Sequence, residues 1–203
     1  ILVVGISILK VYKKTKSVIW IISYLVMTLI ISISAYSGIT KSNIIPIAPL
    51  LLVSAIVFAA LFSFSKSGKK VSIEFSITAL LGLQAFRLPL EIILHNWGES
   101  GTIPLTMTWS GQNLDIIAGI ICLLGIPFYK KNLKLTWLIQ VVSFSLLLNV
   151  IRVAIMSSPF PFSWPLEQPL QLIFHMPYAL IVPGFVTIAL ICHLLVFRKL
   201  MNK

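Results

Sequence analysis

Charge is scarce in this chain. Of its 203 residues only 10% are Asp, Glu, Lys or Arg, and just five are acidic. Soluble domains carry about a quarter charged residues. With 58% hydrophobic residues and a mean hydropathy of +1.02, a water-soluble monomer of this length could not hide its apolar side chains. Cysteine is scarce too. Cys122 and Cys192 both sit inside apolar runs, which excludes a disulfide framework and paired-cysteine metal spacing. There is no Walker loop, dinucleotide loop or His-Glu-x-x-His pattern, and no metal or cofactor is expected. No internal repeat or soluble domain stands out, and the apolar runs lack the alternating period of a membrane barrel. Soluble enzyme, secreted scaffold and disordered tail are thereby excluded. What is left is a polytopic membrane protein.

What is present are long apolar runs, and a run of 18 or more such residues is a span candidate. Only helices satisfy their own backbone hydrogen bonds in such runs. The expected fold is an all-α transmembrane bundle, one domain over residues 1–203, with about seven spans. These are Ile1–Ile8, Ser17–Tyr36, Ile44–Phe64, Val71–His95, a short Asn113–Tyr129, Leu135–Ser157 and Phe174–Phe197. The first is read as truncated, because the chain begins at Ile1 inside an apolar stretch.

The net charge of +11 resembles that of a nucleic-acid binder, but its placement argues for membrane loops, and no nucleic-acid partner is expected. Thirteen of the sixteen basic residues fall in alternate connections: Lys10, Lys13, Lys14, Lys16, Lys66, Lys69, Lys70, Lys130, Lys131, Lys134, Arg198, Lys199 and Lys203. The positive-inside rule makes that side cytoplasmic and puts the C-terminus inside. Trp20, Trp97, Trp109, Tyr129, Trp137, Trp164 and Tyr178 fit interfacial belts. The two outer connections, Trp97–Gln112 and Ser158–Ile173, are rich in Pro, Trp, Ser and Gly. Both are expected to fold onto the membrane face as a cap.

Ionisable residues inside spans cost free energy and by default mark a site or a pairing. Here they are Arg87, Glu91, Asp115 and Arg152, with His95 and His175 at the outer span ends. Counted from the expected span starts, Arg87 lies ~24 Å and Arg152 ~26 Å deep at the helical rise. All six are therefore expected in one layer near the extracytoplasmic face. Arg87, Glu91 and His95 share a helical face, as do Asn149 and Arg152. Two cations balance two anions, so the layer reads either as helix-locking ion pairs or as an outward-facing polar pocket. The pocket reading takes Arg87, Glu91, Asp115, Asn113 and Asn149 as ligand-binding residues. Its ligand would be a lipid-linked or peptide molecule at the outer leaflet.

Nucleophiles are few. Cys122 is too deep to be a reactive thiolate, and His193 reads as interfacial. Ser110, at the outer surface near Asp115, is the better placed hydroxyl. A small transporter ranks last, since Gln84 and Gln140 are the only notable polar residues toward the inner side.

Two resemblances add to this. Met107-Thr-Trp-Ser-Gly-Gln-Asn-Leu-Asp-Ile-Ile-Ala-Gly119 resembles the signature M-T-[aromatic]-x-G-x-N-[apolar]-D-I-[apolar]-x-G of a group of small uncharacterised bacterial integral membrane proteins. Phe86-Arg87-Leu-Pro-Leu-Glu91, Asn149, the stretch 154–162 and Gln168-Pro169 also resemble that group, whereas Arg152 replaces an apolar residue. The resemblance implies a multi-pass protein of the bacterial inner membrane. Asn149-Val-Ile-Arg152 followed by His175 is more loosely similar to the exosortase and archaeosortase transpeptidases. That likeness implies catalytic roles for Arg152 and His175. It also implies a nucleophile before Ser110-Gly111, where this chain has Trp109, so a non-catalytic relative or a chance echo is the better reading of that likeness.

Overall fold

The computed structural model describes residues 17–41, 47–129 and 131–202, and among these every regular element is helical. The expected span Ile1–Ile8 and Lys10, Lys13, Lys14, Lys16, Lys130 and Lys203 lie outside the described residues. Among the described residues, five helices are long and apolar enough to cross a membrane: Val18–Tyr36, Ile47–Phe64, Ile77–Glu99, Leu133–Ser157 and Tyr178–Met201. This is the architecture of a multi-pass membrane protein. The expected span at Asn113–Tyr129 is helical only over Asp115–Leu124. Ten residues rise ~15 Å, half of a ~30 Å hydrocarbon core.

The chain divides into two compact units, residues 1–76 with 172–203 and residues 77–171. In the first, α1 (Val18–Tyr36) buries a thin stripe of Tyr24, Met27, Ile31 and Ala35. The other faces of α1 stay bare, with Ile19, Leu29 and Ile33 more than half exposed, as suits side chains whose solvent is lipid. The stripe packs on Leu51 and Ala55 of α2 (Ile47–Phe64). Ala48, Ala55 and Ala59 are also buried, and small residues at such spacing let helix backbones approach closely. A short helix follows, α3 (Lys66–Glu74). It starts where the Ser65 hydroxyl accepts the Gly68 N–H, and it stops at Phe75, which is extended. The expected run from Val71 is therefore broken, and the span begins at Ile77.

The last span widens into a π turn at Val182–Val186 before α8 (Thr187–Met201), an element numbered after those of the second unit. The Thr187 hydroxyl donates to the Val182 carbonyl, and Tyr24 of α1 donates to the Pro183 carbonyl at 2.9 Å. His193 is fully buried in α8.

In the second unit, α4 (Ile77–Leu83) passes through a 3-10 turn at Gln84–Phe86 into α5 (Arg87–Glu99). The cause is Pro89, which lacks an N–H and whose ring crowds the carbonyl four residues back. α6 (Asp115–Leu124) and α7 (Leu133–Ser157) complete the unit. The connections 97–112 and 158–173 both fold back onto the protein. Ile103, Met107 and Thr108 of the first are buried. In the second, the Trp164 N–H returns to the Met156 carbonyl and the Leu170 N–H to that of Ser157.

Candidate functional site

The site residues of the second unit fall into two tiers. The lower tier is buried. Arg87, at the start of α5, pairs with Asp115 along one guanidinium edge, Nε to Oδ2 and Nη2 to Oδ1. Its Nη1 donates to the Ser143 carbonyl of α7 at 3.1 Å, so one cation ties three helices. Glu91 is one turn along α5, on the same face as Arg87. The Asn113 amide donates to both of its carboxylate oxygens, at 3.0 and 2.8 Å. The same amide reaches the Met107 carbonyl, while its oxygen accepts the Asp115 N–H. Asp115 thus opens α6 with a negative side chain in the first turn, where the helix dipole favours it. Arg87, Glu91, Asn113 and Asp115 are each no more than 3% exposed. A layer below, the Cys122 thiol lies 3.2 Å from the Ser143 hydroxyl, and the Tyr129 hydroxyl donates to the Cys122 carbonyl.

The 107–119 signature has a physical meaning here. It folds the loop over Asn113 so that the Glu91 carboxylate is clamped and Asp115 is delivered to Arg87. Gly111 is required sterically, because a Cβ there would stand 2.2 Å from the Leu105 carbonyl oxygen and 2.6 Å from the Thr106 Cα. Backbone atoms cannot step aside. Gly111→Ala should therefore cost about 3 kcal/mol, the upper end for overpacking, read as a lowered melting temperature in detergent. Melting unchanged from the parent protein would show that the loop is not packed this way.

The upper tier is open. Along α7, Asn149 is six residues above Ser143, a rise of ~9 Å. It donates its amide to the Gln112 carbonyl at 2.9 Å. Its oxygen holds Arg152 through Nε and Nη2, and Nη2 also faces the Gln112 Oε1 at 3.5 Å. The Trp164 ring lies under the guanidinium, 5.7 Å from Cζ to the ring centroid. Arg152 is exposed and has no carboxylate partner among the described residues.

No protein-family model, curated protein or solved structure matches this chain.

The expected single layer is thus two tiers, because the span begins at Ile77 and Arg87 stands near its middle, not in its outer half. Of the five ligand-binding candidates, the structure places Arg87, Glu91, Asn113 and Asp115 in the buried tier and Asn149 in the open one. Of the catalytic candidates, Arg152 belongs to the open tier. Ser110 is exposed, with no base hydrogen-bonded to it among the described residues, and Asp115 is turned away into its bond with Arg87. His175 belongs to the other unit, where it is exposed at a turn and its carbonyl accepts the Ala179 N–H. His95 stacks on Trp109, ring centroids 3.9 Å apart. Gln112 and Trp164 were not legible as site residues. Gln112 had a faint signal, lying between Gly111 and Asn113 of the signature, whereas Trp164 looked like any belt aromatic. Among the described residues, no group of three His, Cys, Asp or Glu side chains is arranged to hold a metal ion.

Proposed function

We propose that this is a bacterial inner-membrane protein that binds the anionic group of a lipid-linked or peptide ligand at the outer leaflet, with Arg152 as the recognising cation. Seven spans, a cytoplasmic C-terminus and the upper tier at the extracytoplasmic face belong to the same reading. The basic connections support that orientation by the positive-inside rule.

The observation that carries the binding role is Arg152 itself. An arginine near the end of a membrane helix is ordinarily paired or snorkels freely. This one is held in plane by Asn149 and backed by Trp164, yet it lacks a counter-charge among the described residues. Its Nη1 group makes no hydrogen bond among the described residues and is available to a phosphate or carboxylate oxygen, a pairing that suits guanidinium geometry. The buried tier serves as its support. Arg87, Glu91, Asn113 and Asp115 saturate one another and fix the loop that carries Gln112. The transpeptidase reading has less behind it, since Trp109 stands where the thiol would be and Ser110 has no base.

The test uses the fluorescence of a purified variant that keeps Trp164 and carries Trp20→Phe, Trp97→Phe, Trp109→Phe and Trp137→Phe. A short-chain acyl phosphate and a peptide with a free C-terminal carboxylate are titrated separately. One of the two is expected to change the emission, and Arg152→Gln should weaken that binding roughly ten- to a hundredfold, the range for a hydrogen bond to a charged group. Binding that is equal with Arg152→Gln, or absent for both ligands, overturns the assignment.

A further inference from the structure

We propose that the exposed face of α3 seats the headgroups of anionic phospholipids, at the membrane surface where α2 ends. α2 finishes at Phe64, and α3 starts only two residues later, so the short helix lies at the end of a span. Its nine residues divide cleanly. Gly68, Val71 and Ser72 are buried on one face. Lys66, Lys69, Lys70 and Ile73 share the opposite face at helical spacing, and all four are exposed. Ile73 is 67% exposed in the middle of the lysines, and Phe64 beside the start of the helix is 62% exposed. Three cations around an apolar side chain suit neither bulk water nor the hydrocarbon core. They suit a phosphate layer with acyl chains beneath it, into which lysine stems reach while their ammonium groups stay wet. One carboxylate, Glu74, sits at the end of the helix, leaving the lysines in excess.

The neighbouring basic residues are already committed to the fold. Arg198 donates to the carbonyls of Ser63 and Ser65, and Lys199 to those of Ser72, Ile73 and Phe75. They cap the ends of α2 and α3 from α8 and hold the lysine face outward. The three lysines of α3 are left to the lipid. This inference is independent of Arg152, and its test does not touch that residue.

The full chain is reconstituted in nanodiscs of mixed dioleoyl phosphatidylglycerol and dioleoyl phosphatidylcholine, then released into detergent, and the retained lipids are counted by native mass spectrometry. The parent protein should retain phosphatidylglycerol selectively. Lysines at an anionic surface contribute roughly fivefold each, so the triple variant Lys66→Gln, Lys69→Gln, Lys70→Gln should lose at least ~tenfold of that selectivity. The matching triple arginine variant should keep it. Should the glutamine variant fail to fold, salt does the same work on the parent protein: selectivity should fall as ionic strength rises and screening shortens. Selectivity that survives the glutamine changes, or that salt leaves untouched, overturns the proposal, as does a parent protein that retains both lipids equally.

Discussion

Replacing Asp115 with Asn should destabilise the second unit by about 3–5 kcal/mol, the cost of leaving one member of a buried ion pair without its partner. The reasoning starts from burial. Arg87 is 1% exposed and its guanidinium cannot turn to water without unpacking α5. Its remaining neutral contact, the Ser143 carbonyl, cannot replace a carboxylate that engages two guanidinium nitrogens. Arg87→Met alone should be comparably harmful, since it leaves Asp115 buried with only neutral neighbours. The double change Arg87→Met with Asp115→Leu should recover most of the loss, because apolar residues of similar volume replace buried ion pairs at little or no net cost. Thermal unfolding of the four proteins in one detergent measures the coupling. A double variant as unstable as the sum of the singles would mean that the two side chains do not act as a pair.

That pairing also shows what could be read in advance. Helices α1, α2 and α7 begin and end within a few residues of their apolar runs, since in lipid hydropathy and length nearly dictate a spanning helix. The three charged members of the buried tier, Arg87, Glu91 and Asp115, were equally plain, as ionisable residues standing in apolar sequence. Their partners were not. The four-residue spacing puts Arg87 and Glu91 on one helix face, whereas Asp115 and Asn113, which pair with them, come from another part of the unit. The 3-10 turn imposed by Pro89 and the short reach of α6 decide this, and both are properties of three dimensions. The break at Phe75 was hidden for a related reason. It depends on Lys199, more than a hundred residues away, accepting the role of cap for the last carbonyls of α3. The depth assigned to Arg87 inherited the error of starting its span at Val71.

The second large effect is expected at Asn113, whose amide donates to both oxygens of Glu91. Asn113→Asp keeps the shape but sets a second carboxylate about 3 Å from the first in a dry setting, where like charges repel strongly. It should cost at least as much as Asn113→Ala, which merely removes the donor, and both should lie near 3 kcal/mol or above. Glu91→Gln alone should cost only ~1 kcal/mol, since a neutral side chain can still accept the Asn113 amide. Combining Glu91→Gln with Asn113→Asp reverses the donor and the acceptor. The new amide at position 91 donates to the new carboxylate, whose other oxygen still accepts the Asp115 N–H. The combination should therefore be more stable than Asn113→Asp by itself, although the bond to the Met107 carbonyl is lost. Melting temperatures of the four variants decide it. If Glu91→Gln fails to improve Asn113→Asp, the clamp on Glu91 is not what orders the 107–119 loop, and the support assigned to the open tier above it is removed.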